Sequence, residues 1–331
     1  MAPAERGSAV TVLLTGSAGF IGFHLAHHLL REGHDVVGVD TLTDDYDQEL
    51  KAARLALLDA SPNYAHERVD ITDAEGMDRV FAAARPRAVV HLAARAGVRT
   101  SMDQVAAYTH TNVLGFARVL ETARAHGAER VIYASSSSVY GDADVYPTPE
   151  TASCRAPKSP YASTKLANEL LAEAVATSEF LCLGLRFFTA YGPWGRPDMA
   201  AHLFTEALRH GTPIRLNNAG AMGRDWVYVQ DIVDVVTFAL TCPLQRHDVW
   251  NVGSGDCTTL PAFLALLEHH TGRRAVVTHT PLPPGDAERT QADLARLTQV
   301  GAPVPHTSLD EGIASFLAWH ERYYPLAAAL R

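Results

Sequence analysis

Long apolar runs are missing from this sequence of 331 residues. No stretch reaches about 18 uncharged apolar residues, the length that a membrane-spanning helix needs. Met1–Ser8 carries no apolar segment of the length found in signal peptides. We therefore expect a cytoplasmic protein that does not insert into membranes.

Cysteine is scarce, and its four residues are far apart in the sequence: Cys154, Cys182, Cys242 and Cys257. This spacing has neither the close pairing of a zinc site nor the density of a disulfide scaffold, so we expect free thiols. The adjacent histidine pairs at 27–28 and 269–270 lie on predicted helices, where neighbouring residues point to different faces. No metal site is expected.

Positive charge is also in short supply, because 28 lysines and arginines stand against 37 acidic residues and the net charge is −9. No basic stripe is present that could neutralise a run of phosphates, which excludes nucleic acid as an expected partner. The length, with 47% hydrophobic residues, fits two domains or one large domain with an appended lobe.

The first half of the chain alternates short β-branched runs with longer helical patterns, which is typical of βαβ units. The predicted strands are Ala9–Thr15, Asp35–Asp40, Tyr64–Asp70, Ala88–Ala93, Arg130–Ser135 and Leu181–Phe187. The predicted helices are Phe20–Glu32, Gln48–Asp59, Ala74–Ala84, Gln104–His126 and Tyr161–Ser178. This order predicts an α/β fold with a doubly wound parallel sheet of the Rossmann type.

After Tyr191 the sequence changes to Gly/Pro-rich connections with shorter elements. We expect a first domain of residues 1–190 and a smaller, substrate-binding lobe of residues 191–331. A helix at Ile232–Leu240 and a strand at Val249–Val252 predict that about 225–253 rejoins the first domain. The two units are therefore expected to be interleaved.

The first predicted strand runs into G-S-A-G-F-I-G, which places Gly16, Gly19 and Gly22 at a strand-to-helix turn. Glycines there let the backbone approach a pyrophosphate, whose charge is favoured by the helix N-terminus. Asp40 ends the second predicted strand, where its carboxylate can accept hydrogen bonds from a ribose. Because Thr41 and Leu42 follow rather than an arginine, NAD is predicted in preference to NADP.

Tyr161 and Lys165 are four residues apart in K-S-P-Y-A-S-T-K and so share one face of a predicted helix. Ser159 and Pro160 suit the cap and the first position of that helix. A phenol has a pKa of about 10, which a neighbouring ammonium and a nicotinamide ring would both lower. Tyr161 is therefore predicted to act as a general base.

Five motifs together resemble the extended short-chain dehydrogenase/reductases: T-G-S-A-G-F-I-G, H-L-A-A, Y-A-S-S-S-S-V-Y-G, S-P-Y-A-S-T-K and R-F-F-T-A-Y-G-P-W-G-R-P-D-M. Within this family the sequence is most similar to the UDP-glucuronate 4-epimerases. The resemblance implies a triad of Ser136, Tyr161 and Lys165. It also implies reversible hydride transfer between C4 of a UDP-sugar and NAD, and a homodimer formed by the helices at 104–126 and 161–178.

Several further residues are expected to contact NAD, since ligands of open α/β sheets lie across the carboxyl ends of the strands. Besides the glycines, Asp40, Tyr161 and Lys165, they are Phe20, Ile21, Asp70, Ile71, Leu92, Ala93 and Ala94. For His91, which precedes Leu92, we expect packing in the core rather than a catalytic role.

The serines after Ser136 distinguish between reactions within the family. Related 4,6-dehydratases carry Asp-Glu at the positions of Ser137 and Ser138, and related decarboxylases carry glutamate at that of Ser138. Serine supplies neither proton-transfer group, so these reactions lose support. We hypothesise that Ser137, Ser138, Thr189 and Arg196 instead hold a uronate carboxylate. Pairing of Arg196 with Asp198 is an equally weighted alternative.

The second lobe is expected to hold the nucleotide. R-D-W-V-Y-V-Q-D-I-V resembles a family motif whose arginine meets the pyrophosphate, which implies that role for Arg224. P-P-G-D resembles a turn that contacts the uridine ribose, which implicates Asp286. Arg99 is a further candidate for contact with phosphate or sugar. A solvated surface charge is the alternative for each of the three.

The predicted activity is NAD-dependent 4-epimerisation of UDP-glucuronate to UDP-galacturonate through a transient 4-keto sugar. UDP-glucose 4-epimerase, which needs the same triad, is the first alternative, and UDP-glucuronate decarboxylase is the second. A protein that senses NAD on the same fold without catalysis is the alternative outside enzymes. Retention of Ser136, Tyr161 and Lys165 favours an enzyme.

Overall fold

The computed structural model describes residues 10–325; Met1–Ser8 and Ala9, the first residue of the first predicted strand, lie outside the described residues. The strands are Thr11–Thr15 (β1), Asp35–Val39 (β2), Tyr64–Glu67 (β3), Ala88–His91 (β4), Arg130–Ser136 (β5), Leu181–Phe187 (β6), Thr189–Tyr191 (β7), Ile214–Asn217 (β8), Gly223–Tyr228 (β9), His247–Val252 (β10), Cys257–Thr259 (β11) and Val277–Thr280 (β12). Seven of them form a parallel sheet in the order β10-β6-β5-β4-β1-β2-β3.

Helices cover both faces of this sheet. They are Phe20–Arg31 (α1), Gln48–Asp59 (α2), Ala74–Ala84 (α3), Val98–Ser101 (α4), Val105–Tyr108 (α5), Phe116–Ala125 (α6), Pro160–Val175 (α7), Ala200–His210 (α8), Val229–Thr241 (α9), Leu260–Thr271 (α10), Ala295–Val300 (α11) and Leu309–Tyr323 (α12). Apolar side chains of α1, α2 and α9 fill one core, and those of α3, α6 and α7 fill the other. The fold is thus the doubly wound α/β type that the alternating pattern predicts.

A second assembly of elements follows the sheet in the chain. It consists of the three-stranded sheet β11-β9-β7, the pair β12-β8, and helices α8, α10 and α12. These helices share an apolar core with the strands, in which the rings of Trp226 and Phe263 stack with centroids 4.0 Å apart. Strand β10 lies beside β6 at the edge of the main sheet, so the chain does return to that sheet.

The bounds of several predicted elements differ from the structure: the helix predicted at Tyr161–Ser178 ends at Val175 and the strand predicted at Ala88–Ala93 ends at His91. Two further differences have an identifiable cause. The third strand ends at Glu67 rather than Asp70, because the Asp70 carboxylate accepts hydrogen bonds from the amide and hydroxyl of Thr72 and forms a turn. The predicted helix 104–126 is divided into α5, a π-helical segment Thr109–Gly115, and α6. Within that segment, the side-chain oxygen of Asn112 accepts a hydrogen bond from the backbone amide of Arg95, and its side-chain nitrogen donates one to the carbonyl of Arg95.

Other predicted features agree with the fold. All four cysteines lie within the described chain and are free thiols. Among residues 10–325, no helix is long and apolar enough to cross a membrane. His91 is buried in the core, where its ring accepts or donates a 2.8 Å hydrogen bond with the Thr15 hydroxyl, and burial lowers its pKa to about 3.

Candidate active site

The glycine-rich turn joins β1 to α1 and lies directly against the end of β4. Gly16 has φ +77°, and a Cβ there would lie 2.7 Å from the amide nitrogen of Ala93. A Cβ on Gly22 would lie 2.0 Å from the carbonyl oxygen of Gly16. Only glycine fits at these positions, and no side chain caps the N-terminus of α1 at Gly19. A helix N-terminus without a side-chain cap, approached by a glycine turn, fits a pyrophosphate.

Asp40 follows β2 and is oriented toward the same turn. Its Oδ2 accepts a hydrogen bond from the amide of Ala18 at 3.1 Å, and Oδ1 accepts one from the amide of Leu42 at 2.8 Å. Each oxygen keeps a further lone pair for a ribose hydroxyl. Lys51, which sequence reasoning missed, is near this carboxylate, but its ammonium donates to the carbonyl of Thr43 at 2.6 Å.

The remaining predicted cofactor residues occupy different environments. Leu92 and Ala93 donate their amides to Thr15, so the H-L-A-A backbone adjoins the glycine turn. Asp70 is exposed, whereas the side chain of Ile71 is buried in the core against Gly115. Phe20 is buried, and Ile21, Ala94 and Leu92 are half-buried. Because the Ile71 side chain packs inward, its predicted contact with NAD would have to come from its backbone.

Tyr161 lies in the first turn of α7, as its position after Ser159-Pro160 predicts. The Ser159 hydroxyl accepts from the amide of Ala162 at 3.1 Å and begins the helix. Lys165 is buried one turn further on, where its ammonium lies 5.9 Å from the centre of the Tyr161 ring and donates to the carbonyl of Ala134 at 2.9 Å. Burial lowers the pKa of Lys165 to about 8.

The effect of Lys165 on the pKa of Tyr161 stays a prediction, because its ammonium lies 5.9 Å from the centre of the ring and donates to a backbone carbonyl. Burial is the largest influence and raises the pKa of the phenol. The opposing influences are a hydrogen bond with Ser136 and the positive charge of Arg196. Ser136 and Arg196 thus both favour the phenolate, and the Lys165 ammonium donates to the backbone of β5.

The serine run ends β5 and enters a 3-10 turn at Ser137–Tyr140. Ser136 Oγ accepts hydrogen bonds from the amide of Ser138 at 3.2 Å and from its hydroxyl at 2.8 Å. The hydroxyl proton of Ser138 is therefore used inside the protein, and the Ser136 proton is free to point at Tyr161. Ser135 points the other way, to Glu169 on α7.

Arg196 belongs to the loop between β7 and α8, and Thr189 begins β7. The guanidinium of Arg196 donates to both carboxylate oxygens of Asp198, at 3.0 and 2.6 Å. It also lies 5.3 Å from the centre of the Tyr46 ring, and its charge lowers the pKa of both Tyr161 and Tyr108. The alternative pairing with Asp198 is thus present, and the arginine also adjoins the tyrosine.

The three charged residues predicted to meet the nucleotide are brought together although they are far apart in sequence. Arg99 donates to Asp286 at 2.8 Å, and both charges influence the pKa of Arg224. Arg224 is held by the carbonyl of Gly223 at 2.8 Å. Its pKa is lowered by burial, so this arginine is poorly neutralised and suits an anionic phosphate.

A cluster of His202, Glu206 and His320 was not expected from the sequence. Their ligating atoms lie within 4.8 Å of one another on α8 and α12. Arg209 donates to Glu206 at 3.0 Å and lies 3.0 Å from Nδ1 of His320. Because this cation neutralises the carboxylate and occupies a histidine nitrogen, the cluster forms a packed network between two helices rather than an evident metal site.

Known proteins resemble this chain over most of its length. A family model described as NAD dependent epimerase/dehydratase family matches residues 12–253. A probable UDP-glucuronate 4-epimerase of Rhizobium meliloti is 37% identical, with 94% of this chain and 97% of that protein covered.

Solved structures are similar over the same extent. A UDP-glucuronic acid 4-epimerase from Bacillus cereus, in complex with UDP-glucuronic acid and NAD, has a TM-score of 0.87 and 28% identity, covering 95% of this chain and 100% of that chain. A UDP-glucose 4-epimerase from Thermotoga maritima with UDP-glucose has a TM-score of 0.86 and 30% identity, covering 95% and 99%.

Proposed function

The chain belongs to the NAD dependent epimerase/dehydratase family, and we propose that it converts UDP-glucuronate to UDP-galacturonate by inverting C4 through a transient 4-keto sugar. The observation that carries this proposal is the position of Arg196, whose guanidinium is close enough to Tyr161 for its charge to act on the pKa of the phenol. A cation there favours a substrate with a carboxylate close to its reacting carbon. Relatives with this activity cover nearly the whole chain.

NAD fits the residues of the glycine turn and Asp40, and when bound it accepts and returns a hydride at the sugar carbon. The residues of this chain carry out the proton transfer. Tyr161 takes the proton from the sugar 4-hydroxyl and later returns it. The Ser136 hydroxyl donates a hydrogen bond toward the phenol oxygen of Tyr161 and the sugar oxygen beside it. Lys165 fixes α7 relative to β5 through its hydrogen bond to the carbonyl of Ala134.

The uronate carboxylate must be held in a fixed orientation, because a 4-keto uronate is a β-keto acid that loses CO₂ readily. We propose that Arg196, Ser137 and Thr189 hold it. The Ser138 hydroxyl already donates to Ser136, so we assign it to orientation of Ser136 rather than to the carboxylate. Arg224, Arg99 and Asp286 are proposed to bind the nucleotide part, because Arg99 of α4 meets Asp286 close to Arg224 of β9.

One incubation tests the activity. The NAD-loaded protein is given UDP-glucuronate, and the products are separated by chromatography and weighed by mass spectrometry. The expected product is an isomer of equal mass. Loss of CO₂ would assign a decarboxylase instead, and an absence of turnover with any UDP-sugar would favour the regulatory alternative. With substrate deuterated at C4, retention of the label in the product is expected.

UDP-glucose 4-epimerase is the second candidate, and one observation favours it. Asp198 already neutralises Arg196, so a neutral C6 hydroxymethyl group can be accommodated without an unpaired charge. The candidates differ in their kcat/KM for UDP-glucuronate and UDP-glucose. A ratio in favour of UDP-glucose would select the second.

Gly22→Ala is expected to abolish NAD binding, because the added Cβ would lie 2.0 Å from a backbone oxygen of the turn. Since the hydride leaves and returns within one cycle, wild-type protein is expected to copurify with NAD. The measurement is the NAD content of the purified protein. Gly33→Ala is the control. An added Cβ at Gly33 would meet no described atom within 4 Å, although the φ of +86° strains an alanine there. Equal NAD content in both variants would contradict the assignment.

We also propose a cytoplasmic homodimer formed by the helices around 105–125 and α7. Leu114 and Leu170 are 41% and 60% exposed on these helices, an apolar surface that a second copy can cover. Leu114→Glu is expected to shift the protein to a monomer in analytical ultracentrifugation. Leu57→Glu, which changes a leucine that is 49% exposed on α2, is expected to leave the dimer intact. Equal sedimentation of both variants would reject this surface.

A further inference from the structure

The carboxylate-binding side of Arg196 is filled by a residue of the protein itself. Asp198, two positions further along the loop, receives hydrogen bonds from both Nε and Nη2 of the guanidinium. This is the planar, two-bond geometry by which arginine binds any carboxylate. A substrate carboxylate that uses the same side of Arg196 therefore meets an occupied position.

The two partners are not equally fixed. The Arg196 side chain is 20% exposed and is held over the ring of Tyr46 at 5.3 Å, whereas the Asp198 side chain is 48% exposed. Arg196 is thus held at the site near Tyr161 and Tyr108, and Asp198 is the partner that can turn away. The loop that carries both leads into α8, where the amide of Met199 donates to the carbonyl of Arg196 at 3.2 Å.

Resting on the proposed function, we propose that Asp198 is a resident carboxylate that occupies Arg196 between turnovers and is displaced by the carboxylate of the uronate. The exchange keeps Arg196 neutralised in both states. It also prevents a charged, desolvated arginine from standing unpaired beside the general base, which would be costly.

After displacement, the Asp198 carboxylate has another potential partner nearby. His202 lies four residues further along, in the first turn of α8, and its Nδ1 is buried without a hydrogen-bond partner among residues 10–325. Burial lowers the pKa of His202, and the charge of Asp198 is among those that oppose this shift, so the two side chains are close enough to interact. Movement toward His202 or into solvent would release the guanidinium.

Competition between two carboxylates has a measurable consequence. Asp198→Asn removes the competing charge while it keeps the side-chain shape, so the NAD-loaded variant is expected to bind UDP-glucuronate about fivefold more tightly, the ratio for a partly exposed ion pair. Affinity for UDP-glucose and for UDP is expected to stay unchanged, because neither carries a carboxylate. Asp198→Ala should act in the same direction.

Dissociation constants measured by calorimetry carry the test, since they need no turnover. Glu129→Gln is the matched control: Glu129 is 49% exposed and pairs with Arg87 on a distant surface. Arg196→Ala should weaken UDP-glucuronate binding and make a further Asp198→Asn change ineffective. Unchanged or weaker binding of UDP-glucuronate by Asp198→Asn would overturn the inference.

The proposed function can fail separately from this inference. If wild-type protein does not epimerise UDP-glucuronate, the proposed activity is wrong, whatever the dissociation constants show. If wild-type protein does epimerise it and Asp198→Asn does not bind it more tightly, the activity stands and the role of Asp198 is wrong. A gain in affinity for UDP alone would also overturn the inference, because it would place the effect at the nucleotide.

Discussion

Tyr161→Phe is expected to lower kcat for UDP-glucuronate by about 10³-fold, within the range that general acid–base catalysis contributes. The change removes only the phenolic oxygen, which is the group proposed to take and return the proton of the sugar hydroxyl. The phenyl ring keeps the edge contact with Tyr108, whose ring centre lies 6.4 Å away. Steady-state kinetics measure the loss, and NAD content and UDP-glucuronate binding are expected to remain near those of the wild type.

The matched control for this change is Tyr133→Phe. Tyr133 is fully buried on β5, and its hydroxyl is 3.0 Å from Nε2 of His247, away from Ser136 and Lys165. Loss of that single hydrogen bond is expected to reduce stability by about 1 kcal/mol and leave kcat nearly unchanged. Retention of more than a tenth of the wild-type kcat by Tyr161→Phe would assign the proton transfer to another group.

The pH dependence follows from the raised pKa of Tyr161. A phenol whose pKa is raised is protonated over a wider pH range, so the base form is gained only as pH increases. For the wild-type protein, kcat/KM is expected to increase with pH through the neutral range. Arg196→Ala removes a positive charge that favours the phenolate, so the rise is expected to move to higher pH. A shift to lower pH would contradict this electrostatic role.

Glu169→Gln is expected to lower the free energy of unfolding by about 3–5 kcal/mol, the cost of leaving one charge of a buried ion pair without its partner. Glu169 and Arg186 are each 7% exposed, and the guanidinium donates to both carboxylate oxygens at 2.8 and 2.7 Å. The same carboxylate accepts from the Ser135 hydroxyl at 2.5 Å. The pair therefore connects α7, β5 and β6 behind the catalytic residues.

Urea denaturation measures this loss, and Glu129→Gln is the surface control. Glu129 bonds Arg87 at 2.7 Å, but that arginine is 62% exposed, so a change within about 0.5 kcal/mol is expected. Replacing both Glu169 and Arg186 by apolar residues of similar volume should recover much of the stability, because no unpaired charge remains. A loss for Glu169→Gln as small as that of the control would show that the buried charge finds another partner.

Serine hydroxyls show how far residue type alone predicts a role. The family resemblance implied a place for Ser136 beside Tyr161, and Ser136 is among the groups that act on the pKa of that phenol. The equivalent expectation for Ser138 did not include its bond to Ser136, because a hydroxyl can rotate toward any nearby acceptor. The direction of a short side chain is decided by neighbours that the local sequence does not specify.

The sequence by itself determined the features that depend on local spacing: the glycine turn, the start of α7 at Ser159-Pro160, the shared face of Tyr161 and Lys165, and the α/β order of elements. These depend on backbone sterics and helical periodicity, which act over a few residues. Only the tertiary structure decided that the Lys165 ammonium donates to the carbonyl of Ala134, and that Arg99 meets Asp286 across 187 residues. Such pairings depend on distances through space, and these exist only after the chain has folded.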